Sequence, residues 1–449
     1  MGESVSDKVK ELAQKMEKWE KYAIYIYMFL AIALSNTVFF GLVHRKLFLV
    51  LAILAIIAGA FWITFKIKAG EYCGFLMSNV LIFAAFSVLI VLGWLFSGET
   101  SNSSFRNNYI GFIASFMLTL IMTMLFKKKQ IALSYIDYMA GISIVSLVCF
   151  ALTIFLPDVA ARVPMSMDES GHFYTFFYTW GWDDHGTGLC FLNRNCGPFW
   201  EPGAFQGFLI IAVLFAIRYG DSIKNVDKKL ILLFITIIST VSTTGLLLLA
   251  MICIVWRKKL ALYLMQNVKN KELIKKILIA VFAIFIAWLL FSGVIFDKLA
   301  SYTDSTVSAG IRFNDLKYSI GLCFVKPFLG LGFGTKAMDI YEDAVGIKAN
   351  SNGLIMMFYT MGNVFGILYV YLMSKGIIKF LEEKDIIKKI ALIVSFVILH
   401  ATECLFVFPV YLLFLFDFHY NEEGINGMNV DFGKIKQKIT GFVKEKIKR

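Results

Sequence analysis

Arg194-Asn195-Cys196-Gly197-Pro198-Phe199-Trp200-Glu201-Pro202-Gly203-Ala204-Phe205-Gln206 joins a long polar segment to a long apolar one. It gathers a guanidinium, a carboxylate, prolines, glycines and large aromatics into one short stretch. Residues of these kinds collect where a solvent-exposed loop re-enters an apolar phase. The stretch therefore reads as the rim of a membrane-embedded site, with the rest of the chain as its scaffold.

Composition supports that reading. Of the 449 residues, 58% are hydrophobic and 17% are charged, and the mean hydropathy is +0.71. A soluble domain of this length could not hide so much apolar surface, so most side chains must face lipid or each other. The expected fold class is all-α: a single polytopic membrane domain of about 12 transmembrane helices with two large outward loops. Residues 1–22 mix Glu and Lys and offer no small-residue cleavage site, so no removable signal peptide is expected. Val9, Leu12, Met16 and Trp19 recur there at helical spacing, which predicts an amphipathic helix on the cytoplasmic surface.

Spans are expected at 22–43, 47–66, 74–97, 109–126 and 132–156, each long enough for a hydrocarbon core of ~30 Å, and further spans at 204–219, 277–296 and 353–374. The runs 229–256 and 390–417 are too long for one crossing and read as pairs of short helices. The first breaks at Ser239-Thr240-Val241-Ser242-Thr243-Thr244-Gly245, the second near His400-Ala401-Thr402-Glu403-Cys404. The first outward loop is 157–203 and the second 297–350. Both termini are then cytoplasmic, with a basic tail at 418–449.

The net charge of +12 fits this arrangement. Segments placed inside carry 33 of the 44 Lys and Arg, although the two longest loops lie outside. His44-Arg45-Lys46 is the one violation. Positive-inside topology thus accounts for the basic balance, and no nucleic-acid partner is expected.

The outward loops carry the candidate chemistry. Arg162, His172, His185, Arg194 and Glu201 share the first loop with many aromatics, Trp200 among them. Aromatic faces suit sugar rings and carboxylates suit sugar hydroxyls; an interfacial aromatic belt is the plainer alternative. Asp183-Asp184-His185 offers metal-ligand types, but three adjacent residues seldom converge on one ion, so a solvated turn is the better reading and no metal is expected. Cys190 and Cys196 are candidates for a local disulfide in an oxidising compartment, or else two free thiols.

In the second loop, Arg312 is followed by Pro327-Phe328-Leu329-Gly330-Leu331-Gly332-Phe333-Gly334-Thr335-Lys336. Glycines such as Gly332 let backbone amides approach a phosphate, and Arg312 and Lys336 add cations. Asn350-Ser351-Asn352-Gly353 opens a span, where Asn and Ser are ordinarily caps; an outward helix start also favours anions. Glu403 and His400 lie in an apolar run, where ionisable residues are usually functional or bonded to each other.

The pattern R-x-x-G-x-x-x-E-P-G from Arg194 to Gly203 resembles the loop signature of bacterial O-antigen polymerases (Wzy-like) and O-antigen ligases. The Ser/Thr-Thr-Gly kink at 242–245, Arg312 followed by Pro327 and the glycines at 330–334, and Asn350–Gly353 resemble the family's later landmarks, in the same order. The resemblance covers roughly 190–370. It implies an inverting glycosyltransferase of the inner membrane, without metal or other cofactor, acting in lipopolysaccharide or related polysaccharide biosynthesis. Its donor and acceptor are oligosaccharides on undecaprenyl diphosphate, and a chain-length regulator is a candidate partner. Catalytic roles then fall to Arg194, Arg312 and Glu201. Fixed Arg meets the charge growing on the leaving diphosphate, and Glu201 orients Arg194, binds sugar or acts as base. Lys336, Arg162, Trp200, Gly332, Asn350, Ser351, Asn352, His172 and His185 become substrate-binding candidates.

Two departures matter. Ligases carry His where Ser351 stands, which favours polymerase over ligase, and many members carry Arg where Thr243 stands. A lipid-linked glycan flippase is the competing reading from another class, kept open by the two broken runs.

Overall fold

The computed structural model describes residues 5–37, 44–68, 77–98, 103–156, 165–167, 173–175, 178–181, 194–265, 316–333, 340 and 352–418, all within the compact unit Met1–His419. The expected span at 277–296, much of the second loop and the tail beyond Phe418 lie outside the described residues.

The chain is a helical bundle. Its first half runs α1 (Val5–Ala33), α2 (Arg45–Lys68), α3 (Met77–Phe96), α4 (Ser103–Leu125) and α5 (Lys128–Phe155). Then come α6 (Pro202–Tyr219), α7 (Val226–Ser239), α8 (Thr243–Val255) and α9 (Arg257–Leu264). The last described part holds α10 (Gly353–Met361), α11 (Asn363–Leu381), α12 (Ile386–Thr402) and the single turn α13 (Pro409–Leu412). Among the described residues, six helices are long and apolar enough to cross a membrane: Arg45–Phe65, Met77–Phe96, Asn108–Leu125, Lys128–Leu152, Pro202–Ser222 and Asn363–Leu381.

Helix α6 is the axis of the bundle. All its residues are buried except Gly203 and Arg218, as an apolar sequence with no polar face requires. Around it, α2, α3 and α5 turn Leu54, Phe61, Val88, Ile144 and Val148 outward, a surface that suits lipid. Lipid tails are as apolar as leucine, so contact between helices rests on close packing. Small residues provide it: Gly376 leaves room for the main chain of Phe414, and Gly207 for the hydroxyl of Tyr411.

The ends of the helices sort by charge. Lys128 at the start of α5 and Arg218 at the end of α6 both pair with Glu382, just past α11. Lys379 binds Asp417 at 2.6 Å, and Asn79 at the start of α3 exchanges hydrogen bonds with the main chain of Asp417 at 2.7 and 2.8 Å. The start of α5 thus lies beside the ends of α6 and α11, and the start of α3 beside Asp417.

The boundaries differ from expectation in several places. Helix α1 is continuous from Val5 to Ala33, so the amphipathic segment at 1–22 is not set apart from the first span, and that span stops well before residue 43. The chain leaves the helix at Asn36, which turns left-handed at φ 58°, while Ser35 and Thr37 donate to the carbonyls of Ala31 and Ala33 in its last turn at 2.7 and 3.0 Å. The expected span 353–374 is broken at Gly362, φ 89°, between α10 and α11. The run 229–256 breaks within Ser239–Gly245, where Val241 has φ 47°.

The run 390–417 holds one full helix, α12, and no second. Beyond Thr402 the chain turns back irregularly through α13 and the 3₁₀ turn Leu413–Leu415. Leu405, Phe406 and Pro409–Phe416 are buried there, and irregular backbone at membrane depth is tolerated where protein covers it. The segment 157–203, expected as the first outward loop, carries a small antiparallel sheet in the order β1 (Met165–Met167), β2 (Phe173–Thr175), β3 (Tyr178–Gly181) and β4 (Arg194–Asn195).

Candidate active site at the start of helix α6

Arg194 and Asn195 form β4, with Arg194 opposite Gly181 and Asn195 opposite Trp180. The strand lays both side chains against the break between α7 and α8. Arg194 Nε donates to the carbonyl of Thr240 at 3.2 Å. A helix C-terminus presents such carbonyls and carries partial negative charge, so it suits a cation. The amide nitrogen of Asn195 donates to Ser239 Oγ at 3.0 Å and Ser146 Oγ at 3.3 Å. Its oxygen accepts from the amide of Gly197 at 2.9 Å, closing a local turn.

That turn needs Gly197. Its φ is 52°, and a β-carbon there would lie 2.7 Å from the ring of Phe205. The chain then inserts Phe199, whose ring stacks on Phe208 at 4.3 Å between centroids. Thr37, just past α1, pairs with Phe199 through a backbone bridge. Trp200 rests on Phe408 at 5.4 Å and donates through Nε1 to Glu201 Oε1 at 2.8 Å. Pro202 follows at the first position of α6, where its missing N–H costs no hydrogen bond. Arg194, Trp200 and Glu201 are all half-buried.

The first turns of α6 present one polar face, at spacings of three and four residues. The carboxylate of Glu403 lies against Gly203, the amide of Gln206 against Gly245 in the first turn of α8, and the Tyr411 hydroxyl against Gly207. A β-carbon at Gly203 would overlap Glu403. Gly353, which opens α10, is pressed in turn by the main chain of Glu403 and Cys404. Asn352 caps that helix, its Oδ1 accepting from Ile355 N at 3.1 Å. The end of the first large loop and the residues after the second therefore meet on the two sides of Glu403, which is 3% exposed.

The glycine-rich turn does other work than expected. Leu331 N and Gly332 N donate to the carbonyls of Tyr359 and Thr360 at 2.8 and 2.9 Å, and Phe333 N to Tyr109 Oη at 2.6 Å. Gly330 and Gly362 meet backbone to backbone, with φ of 74° and 89°. These amides are committed to docking the turn on the α10–α11 break, so Gly332 does not offer its amide to a phosphate. Thr360 lies eight positions beyond Asn352, about 12 Å along the helix, so Gly332 stands apart from the cluster around Glu403.

His400 and Glu403 do not pair as a unit. His400 Nδ1 lies 2.8 Å from the Phe396 carbonyl and Nε2 lies 3.1 Å from Tyr369 Oη. Cys196 is buried, its thiol 3.8 Å from the Arg194 carbonyl; Cys190, its candidate partner, lies outside the described residues. So do Arg162, His172, His185, Arg312, Lys336, Asn350 and Ser351. Among the described residues, no three His, Cys, Asp or Glu side chains are grouped to hold a metal ion.

Sequence reasoning left Gln206 and Tyr411 out of the site. A glutamine one turn inside an apolar run is the signal that could have found the first. Tyr411 carried none, because a tyrosine among phenylalanines is ordinary packing.

Compared with known protein families and with curated proteins, the chain matches none.

Proposed function

We propose that this protein is a membrane glycosyltransferase that polymerises oligosaccharide repeat units carried on undecaprenyl diphosphate, at the outer face of the bacterial cytoplasmic membrane. The product is an O-antigen or a related surface polysaccharide. One observation carries the reading: the two segments that resemble the polymerase and ligase family, Arg194–Gly203 and Asn352–Gly353, come together around Glu403. Packing alone brings distant segments together, so the weight of this meeting lies in the residues the two segments carry.

In this mechanism an acceptor hydroxyl attacks the anomeric carbon of the donor from the side opposite the diphosphate. The bond to the leaving oxygen breaks, the configuration inverts, and negative charge collects on the lipid diphosphate. A fixed cation aimed at that charge stabilises the transition state more than the ground state. Arg194, braced by Thr240, is assigned that role, with Arg312 and Lys336 as further cations. Trp200 offers an aromatic face for a sugar ring, and its bond to Glu201 fixes both. Donor and acceptor are both lipid-linked, and a chain-length regulator is a candidate partner. Twelve crossings with both termini cytoplasmic complete the topology. The pairing of Lys128, Arg218 and Glu382 at one end of the bundle supports it.

The test is transfer by purified protein in detergent, given one lipid-linked repeat unit without nucleotide or metal. A ladder of growing glycans is the expected result. Single transfer only when lipid A core is supplied would make the protein a ligase. Unchanged cognate substrate in both reactions, with folded protein, would overturn the reading in favour of a flippase.

A further inference from the structure

Two buried side chains, Gln206 on α6 and Tyr411 packed against Gly207, are built in a way that packing does not explain. Gln206 is 0% exposed, and among the described residues neither its amide oxygen nor its amide nitrogen has a hydrogen-bond partner. Tyr411 is likewise fully buried, with no hydrogen-bond partner for its hydroxyl among the described residues. Polar groups buried without partners are disfavoured, and an apolar side chain of similar shape would serve packing better. Gly203, Gln206 and Gly207 are neighbours on one side of α6: the Glu403 carboxylate lies against Gly203, the Tyr411 hydroxyl against Gly207, and Gln206 reaches across to Gly245.

A carboxylate, an amide and a phenol together match the donors and acceptors of a sugar ring. The amide both donates and accepts, the carboxylate accepts, and the phenol does either. The position suits an approach from the loop side. Glu201 is half-buried at the mouth of α6, and Gln206 lies five residues further in, about 7.5 Å along the helix.

We propose that Gln206, Tyr411 and Glu403 form the pocket for the acceptor sugar, with Glu403 as general base. This rests on the polymerase reading. The Glu403 carboxylate takes the proton of the acceptor hydroxyl as its oxygen bonds to the anomeric carbon. The donor C–O bond breaks, its electron pair leaves on the lipid diphosphate, and Glu403 later returns the proton to water. Gln206 and Tyr411 hold the ring by its other hydroxyls.

The test compares wild type with Gln206→Leu, Tyr411→Phe and Glu403→Gln in the purified polymerisation assay, alongside thermal unfolding. Gln206→Leu should unfold at the same temperature as wild type or higher, while KM for the acceptor rises about 10-fold. Glu403→Gln should lower kcat about 100-fold and remove the acidic limb of its pH profile, with Glu403→Asp restoring part of both. A Gln206→Leu variant that unfolds earlier and keeps its KM would overturn the pocket, since a structural amide behaves that way. An unchanged pH profile in Glu403→Gln would overturn the base. A wild-type protein that makes no ladder fails at the polymerase reading itself, which the variants cannot do.

Discussion

Arg194 Nε donates to the carbonyl of Thr240 at 3.2 Å, and Thr240 is the residue that ends α7. The loop before α6 is thereby fastened to the break between two other helices. A guanidinium suits this position because its planar fork can grip a carbonyl with one nitrogen while the others point elsewhere. Lysine concentrates its charge on one atom.

Arg194→Lys should therefore lower the polymerisation rate about 100-fold, the range typical of removing one fixed donor from a transition state. Folding should be little affected, because Asn195 still binds Ser239 and Ser146. Polymer yield and thermal unfolding, measured side by side, check this. Wild-type-like polymer from the variant would remove Arg194 from the diphosphate.

Two glycine substitutions should act in opposite directions. At Gly330, φ is 74° and a β-carbon would overlap the Thr360 carbonyl, so Gly330→Ala should cost about 2–3 kcal/mol. Gly141 lies inside α5 with nothing within 4 Å of an added β-carbon. Gly141→Ala should stabilise by about 0.5–1 kcal/mol through helix propensity. Thermal unfolding in detergent measures both, and equal effects would show that the turn at 330–332 is not docked on the α10–α11 break.

The helix break at Ser239–Gly245 and the entry into α6 were legible because polar residues interrupt apolar runs there. The Ser-Thr cluster carries its own capping chemistry, and Ser242 does cap α8. The return after Glu403 was not legible. Hydropathy registers that Leu405–Phe416 is apolar, but a regular span and an irregular segment buried in protein have the same composition. The glycines at 330 and 332 raise the same difficulty in another form. A bare backbone can approach a ligand or another backbone, and only the tertiary partner, here Tyr359 and Thr360, decides between them.

Glu382, just past the spanning helix Asn363–Leu381, ties Lys128 to Arg218. Burial alone would raise its carboxyl, but hydrogen bonds and charge from Lys128 and Arg218 outweigh it and hold the group below its ordinary 4.5. A carboxyl depressed in the fold contributes stability above its unfolded value, and that contribution is lost as pH falls through the folded value. The wild-type melting temperature should therefore decline on acidification below about pH 4.5, and Glu382→Gln should show a shallower decline from a lower starting point. Parallel curves would show that the two cations do not act through Glu382.

Asn352 separates capping from binding. Its Oδ1 accepts from Ile355 N at 3.1 Å, so Asn352→Ala should cost about 1 kcal/mol and Asn352→Ser much less, because serine caps nearly as well. Hydrogen exchange at Ile355 reports the cap directly: faster in the alanine variant, near wild type in the serine one. Binding gives a different ranking. A substrate held by the asparagine amide would lose that donor in both variants, since serine is too short to reach the same atom. If polymerisation falls together with the cap, Asn352 acts by holding α10 in place against Glu403. If the serine variant keeps its cap and loses activity about 10-fold, the side chain contacts substrate.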